Sequence, residues 1–84
     1  MNDTDYVLNK VREAFKAAFD TDPQLVTMET SPSDIPGWDS VGHLTLATGL
    51  EEMFGISLDV DELMEMENVR EIVRIITTKL SKKV

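Results

Sequence analysis

The chain has 84 residues, sixteen acidic against eight basic, a net charge of −8 and no cysteine. That length bounds it to one small domain, spanning 1–84, which buries roughly 60–65% of the surface its unfolded chain exposes. The charge balance repels nucleic acid and anionic membranes, and the missing thiols exclude disulfides and thiolate metal sites. No run approaches the ~20 apolar residues of a membrane span. Met1-Asn2-Asp3-Thr4-Asp5 lacks the basic start and apolar core of a secretory signal. A soluble cytoplasmic protein without membrane insertion is expected.

Helical periodicity organises the chain. Leu8, Val11, Phe15, Ala18 and Phe19 recur at helical spacing over 5–19, with Thr4 placed to cap the start. A long first loop, 20–39, follows with all three prolines and Gly37. Within it Leu25, Val26 and Met28 are expected to pin the segment to the core, since so long a loop in a small domain is packed or functional. The second helix is expected over 40–54, opened by Asp39 as N-cap and stopped by Gly55 in a left-handed conformation. Ile56 and Leu58 anchor a short link. Asp59 or Asp61 then starts a brief helical turn through Glu62, Leu63 and Met64. Asn68 with Glu71 three residues on resembles a capping box. It opens a last helix with Val69, Ile72, Val73, Ile76 and Leu80 on one face, and Lys79, Lys82 and Lys83 suit its C-terminal dipole. The prediction is an all-α fold, a small four-helix bundle with three longer helices, one short third helix and a long first loop. One amphipathic face per helix is what a single core consumes, so a monomer is expected.

Charge placement adds to this. No Lys or Arg lies between Lys16 and Arg70, an interval with twelve acidic residues. Such a field speeds encounter with basic patches on partner proteins. At the centre of the interval stands Trp38-Asp39-Ser40-Val41. Ser40 follows an acidic cap at the first turn of a helix, where a phosphate on its hydroxyl would meet a favourable field. With no accompanying catalytic constellation, this serine reads as an attachment point, although an Asp-Ser pair taken by itself is usually only a cap.

Gly37-Trp38-Asp39-Ser40-Val41-Gly42-His43-Leu44, followed at fixed distance by Leu50-Glu51-Glu52-Met53-Phe54-Gly55-Ile56, resembles the acyl carrier protein family. The resemblance spans nearly the whole chain. It implies a non-enzymatic carrier whose Ser40 bears a covalent 4′-phosphopantetheine, installed from coenzyme A by a phosphopantetheinyl transferase. The arm's thiol would hold acyl groups as thioesters for presentation to partner enzymes of a fatty-acid, polyketide or other dedicated pathway. Those acyl-loading, acyl-transfer or condensing enzymes would dock through basic patches. Asp39, Glu51 and Glu52 match the family's acidic recognition residues, with Val41 beside the attachment point. Fatty-acid carriers place acidic residues where Gly42 and Thr45 stand here. Helical-wheel arithmetic puts Gly42, Thr45 and Gly49 together away from the core, so these two glycines are expected to give partners a smooth, closely approachable face.

His43, the single histidine, falls on the wheel near Leu46, Ala47, Leu50 and Phe54. It is expected at the core edge, lining the entrance for the arm. Trp38 is expected to staple against the helix start, and Met53, Met64 and Met66 to fill the core. Other classes fit less well. A calcium loop from Asp59 places Leu63, Met64 and Arg70 where a ligand, a glycine and a glutamate are required, and no metal site is expected. A hydrolase on Ser40 lacks a base network and the G-x-S-x-G turn. A peptidyl or aminoacyl carrier, and an unmodified acidic helical interaction module, remain as alternatives.

Overall fold

The computed structural model describes residues 3–82. Four helices, α1 (Asp3–Phe19), α2 (Ser40–Phe54), α3 (Val60–Glu65) and α4 (Val69–Lys82), are joined by a long first loop with 3-10 turns at Pro23–Leu25 and Pro32–Asp34. No strand occurs among the described residues. The expected all-α bundle, three long helices and one short, is what forms.

The helix ends are set by side-chain chemistry. Asp39 caps α2 by accepting from the Gly42 N–H at 2.8 Å, and Gly55 ends it at φ 65 with its N–H donating to the Glu51 carbonyl. Asp59 and Glu62 form a reciprocal capping box on α3. Asn68 accepts the Glu71 N–H at 2.9 Å. The first loop supplies the rest of the α4 cap, because Val69 N–H donates to the Thr30 carbonyl and Arg70 N–H to that of Met28. Its length is therefore structural, since it carries acceptors to helix N–H groups that would otherwise be orphaned. Arg12 on α1 ties the same loop down by donating from Nε to the Val26 carbonyl at 2.8 Å.

The core joins Val7, Val11 and Phe15 of α1, Leu46 and Leu50 of α2 and the face Val69, Ile72, Val73, Ile76 of α4, closed by Val26, Ile35 and Trp38 from the loop. Ile56, Leu58 and Leu80 pack half-buried against it, as expected.

Four expectations need correction. Thr4 lies inside α1, which already runs through Asp3, so it is not the N-cap. The cap that precedes this helix, the Lys83 position and the Lys82 side chain lie outside the described residues. Leu25 is 69% exposed and pins nothing, because the 3-10 turn at Pro23–Leu25 rotates Val26 inward in its place. Of the three methionines expected to fill the core, Met66 does so; Met64 is 73% exposed and Met53 also faces solvent.

Candidate functional site

The site is built on the first turn of α2 and on the loop leading into it. Gly37 has φ +90, which a side chain would strain. From there the chain turns so that Trp38 enters the core and Asp39 caps the helix. Trp38 is 5% exposed and meets Phe15 edge-on at 5.0 Å and Phe19 in a stacked arrangement at 6.5 Å. The expected packing role of Trp38 is thus observed, in a three-ring cluster with α1. Immediately after this anchored pair, Ser40 opens α2 exposed to solvent. Its hydroxyl makes no hydrogen bond among the described residues.

His43 lies one turn further along α2 and lines the same groove as Ser40. The Trp38 indole Nε1–H donates to His43 Nδ1 at 2.8 Å, and His43 Nε2 lies 2.9 Å from the Leu63 carbonyl of α3. An indole nitrogen can only donate, so Nδ1 is the unprotonated nitrogen and Nε2–H donates to Leu63. Both ring nitrogens are engaged within the fold. His43 therefore cannot act as a base on Ser40, and a Ser–His nucleophilic pair is excluded on geometry.

Beside Ser40 lies an open, largely apolar groove of about 620 Å³. The loop and α2 line it with Pro32, Trp38, Asp39, Ser40, His43 and Leu44, and the α3 side contributes Val60, Leu63, Met64 and Met66. Ser40, Asp39 and His43 thus converge on one cavity. Leu44, Val60 and Met64, all more than half exposed, were missed as groove residues by the sequence reading. Their signal was present, since Leu44 is apolar yet lies one helical turn from Ser40, on the side of the hydroxyl.

The expected docking residues divide into three groups. Asp39, Val41, Gly42 and Thr45 line one shallow depression between α2 and the end of α1. Glu52 and Thr45 border a second groove, between α1 and α2, which does not include Ser40. Glu51 is half-buried and reaches elsewhere: its Oε2 accepts the Leu58 N–H at 2.8 Å, strapping the α2–α3 link to α2. At Gly42 the direction a side chain would take is closed. A Cβ there would lie 2.0 Å from the Gly37 carbonyl oxygen and 2.8 Å from the Phe19 ring. The glycine exists because the loop returns onto the first turn of α2 at backbone contact. Gly49 has nothing within 4 Å of an added Cβ and keeps the open character expected of it.

Among the described residues no cluster of His, Cys, Asp or Glu could hold a metal ion, and no helix is long and apolar enough to cross a membrane.

A hydroxyl displayed on a capped helix start, beside an apolar groove, is an arrangement suited to holding an attached group. Comparison with known proteins agrees. Residues 9–76 match the family model described as a phosphopantetheine attachment site. The acyl carrier proteins of two Caulobacter vibrioides strains, NA1000 / CB15N and ATCC 19089 / CIP 103742 / CB 15, are each 33% identical over 73 residues, covering 87% of this chain and 94% of the relative. The solution NMR structure of a holo acyl carrier protein from Geobacter metallireducens superposes with a TM-score of 0.83 at 34% identity, covering 92% of this chain and 88% of that one. The chain belongs to the acyl carrier protein family of phosphopantetheine-attachment domains, and its prosthetic group is a covalently attached 4′-phosphopantetheine.

Proposed function

We propose that Ser40 is the attachment residue and that the protein carries acyl groups between enzymes without catalysing a reaction itself. The observation that carries this is Ser40 itself: an exposed hydroxyl, free of hydrogen bonds to the described residues, at the start of α2. A phosphodiester fits there. The Asp39 carboxylate is engaged by the Gly42 N–H, and the positive end of the α2 dipole lies beside the hydroxyl. The bound arm would supply a terminal thiol for thioester linkage; the chain, with no cysteine, offers no competing thiol.

The remaining residues position and recognise. Gly37 and Gly42 lock the loop onto α2 so that Asp39 and Ser40 are held on a rigid element. The groove formed by Leu44, Leu63 and Met64 gives an apolar cargo shelter from water. Partners fall into two sets: a phosphopantetheinyl transferase that modifies Ser40, and acyl-loading, acyl-transfer or condensing enzymes. From Ser40 to Leu50 the second helix carries no Asp, Glu, Lys or Arg, while Val41 is 74% exposed. Partner contact near Ser40 is accordingly apolar, with Asp39 at one end of α2 and Glu52 near the other meeting basic groups. That pattern favours a dedicated biosynthetic pathway, with the protein acting as a monomer in the cytoplasm.

The test is intact mass after incubating the apo protein with coenzyme A, magnesium and a permissive phosphopantetheinyl transferase. Wild type should gain one phosphopantetheine and Ser40→Ala none. Addition to Ser40→Ala, or an unmodified wild type beside a modified control carrier, would overturn the assignment.

A further inference from the structure

The short third helix is held in place by few attachments. None of its six residues is fully buried, so packing alone anchors it weakly. Side chains from α4 and α2 reach it. Lys79 of α4 pairs with Glu62 at 2.8 Å, both partly buried, and His43 of α2 bonds the Leu63 carbonyl at 2.9 Å. The second contact crosses the groove beside Ser40, since His43 and Leu63 both line it. It is also the only one whose donor is fixed by a third residue: Trp38 holds Nδ1 as an acceptor, which leaves the proton on Nε2 and aims it at α3. The imidazole lies nearly parallel to the indole, at 17° and 6.1 Å between centroids, so the ring plane is set as well as the tautomer.

We propose that His43 is a positioning residue: fixed as the Nε2–H tautomer by Trp38, it latches α3 to α2 through the Leu63 carbonyl and thereby sets the width of the groove beside Ser40. The relay joins three elements across the mouth of the groove, namely the rigid loop anchor, the helix that bears the serine, and the short helix that forms the far wall. While the bond is closed, Leu63 and Met64 stay against α2 and an acyl chain has only the surface groove. When it opens, the far wall can move with only the half-buried Leu63 leaving its contact with the core, because α3 contributes no fully buried residue to it. Retention of longer cargo then depends on latch opening, whereas short cargo is indifferent to it. This consequence for cargo rests on Ser40 being the attachment residue; the latch itself does not.

The first readout uses the unmodified full-length chain, so it is independent of Ser40 chemistry. The sequence has one tryptophan and one histidine, and the indole N–H and both imidazole nitrogens give single NMR signals. Wild type should show an unprotonated Nδ1, a protonated Nε2 and a coupling across the Trp38–His43 hydrogen bond. His43→Leu keeps apolar bulk but loses both bonds. It should speed amide exchange in 60–65 by roughly five- to tenfold, the range expected for one lost hydrogen bond, with less than about twofold change in α1 and α4. His43→Gln offers an acceptor and a donor on one carbon, as the imidazole does about Cε1, and should restore slow exchange in α3. With the arm attached, an octanoyl thioester on His43→Leu should change its hydroxylamine sensitivity relative to wild type, and an acetyl thioester should not. A proton on Nδ1 in wild type, exchange rising equally in all helices of His43→Leu, or no recovery in His43→Gln would overturn the latch. Equal sensitivity of octanoyl and acetyl forms across the variants would overturn its role in setting the groove.

Discussion

At the end of α1 the backbone of Asp20 sits at φ 56, the one residue other than glycine in the left-handed region among those described. Its N–H closes the helix by donating to the Lys16 carbonyl at 2.9 Å. The position is unfavourable twice over. A Cβ is disfavoured in that conformation, and a carboxylate there faces the negative end of the helix dipole. Asp20→Gly removes both, against the extra freedom that glycine gives the unfolded chain. A net stabilisation of about 0.5–1 kcal/mol is expected, read as a raised urea midpoint at unchanged m-value. His43 shows what single-residue reading can reach. The helical wheel places it correctly at the core edge, because Leu46, Ala47, Leu50 and Phe54 do pack inward on α2. The wheel could not supply its partners, since the Leu63 carbonyl lies twenty residues away and arrives only with the tertiary fold.

The two interior glycines of α2 separate local propensity from tertiary contact. Either one costs about 1 kcal/mol relative to alanine in an exposed helix, so propensity alone predicts that both Gly→Ala changes stabilise. Gly49→Ala should do so, by roughly 0.5–1 kcal/mol, because an added methyl meets nothing. Gly42→Ala should destabilise by about 1–3 kcal/mol, because the methyl collides with the Gly37 backbone and forces the loop off α2. Thermal unfolding of the two variants should move in opposite directions. Helical-wheel arithmetic puts these glycines on one smooth face because it knows the angle of a residue but not where the preceding loop returns. The same limit hid the role of Glu51. The family resemblance offers it as a docking residue, and its carboxylate also accepts the Leu58 N–H seven residues on. Glu51→Gln keeps an acceptor there and Glu51→Ala does not. Only the alanine variant should lose stability, by about 1–2 kcal/mol in urea titration. Elements with strong end signals were legible in full: α2 runs from the residue after Asp39 to the residue before Gly55 as the sequence implies. The two 3-10 turns in the first loop were not, because their prolines, read as loop punctuation, serve here as first-turn residues after Asp22 and Ser31.

Over the whole molecule, the net charge of −8 poses a question of balance. Several carboxylates have structural work near their own backbone. Asp22, Asp34, Asp39, Glu51 and Asp59 each accept a main-chain N–H. The ion pairs of the described residues, Lys10–Glu13, Arg70–Glu29, Arg74–Glu71 and Lys79–Glu62, are exposed or only partly buried. Pairs of that kind contribute little, a median of about 0–1 kcal/mol each. The unbalanced charge is concentrated in the stretch between Lys16 and Arg70, where self-repulsion opposes the compact state. Its range decides the outcome. The molecule measures 35 × 29 × 19 Å, and at ~0.01 M salt the Debye length of about 30 Å spans it almost completely. At ~0.15 M the length falls to about 8 Å, and carboxylates on different helices are largely screened from one another. Adding sodium chloride over that interval should therefore raise the unfolding midpoint, with most of the gain below ~0.15 M. A fall instead would mean that the surface ion pairs outweigh the repulsion. The same screening should slow association with a partner that presents a basic patch, because steering depends on the unscreened field. Folding stability and encounter rate are thus expected to respond to salt with opposite signs, and one titration series followed by calorimetry and stopped-flow binding would read both.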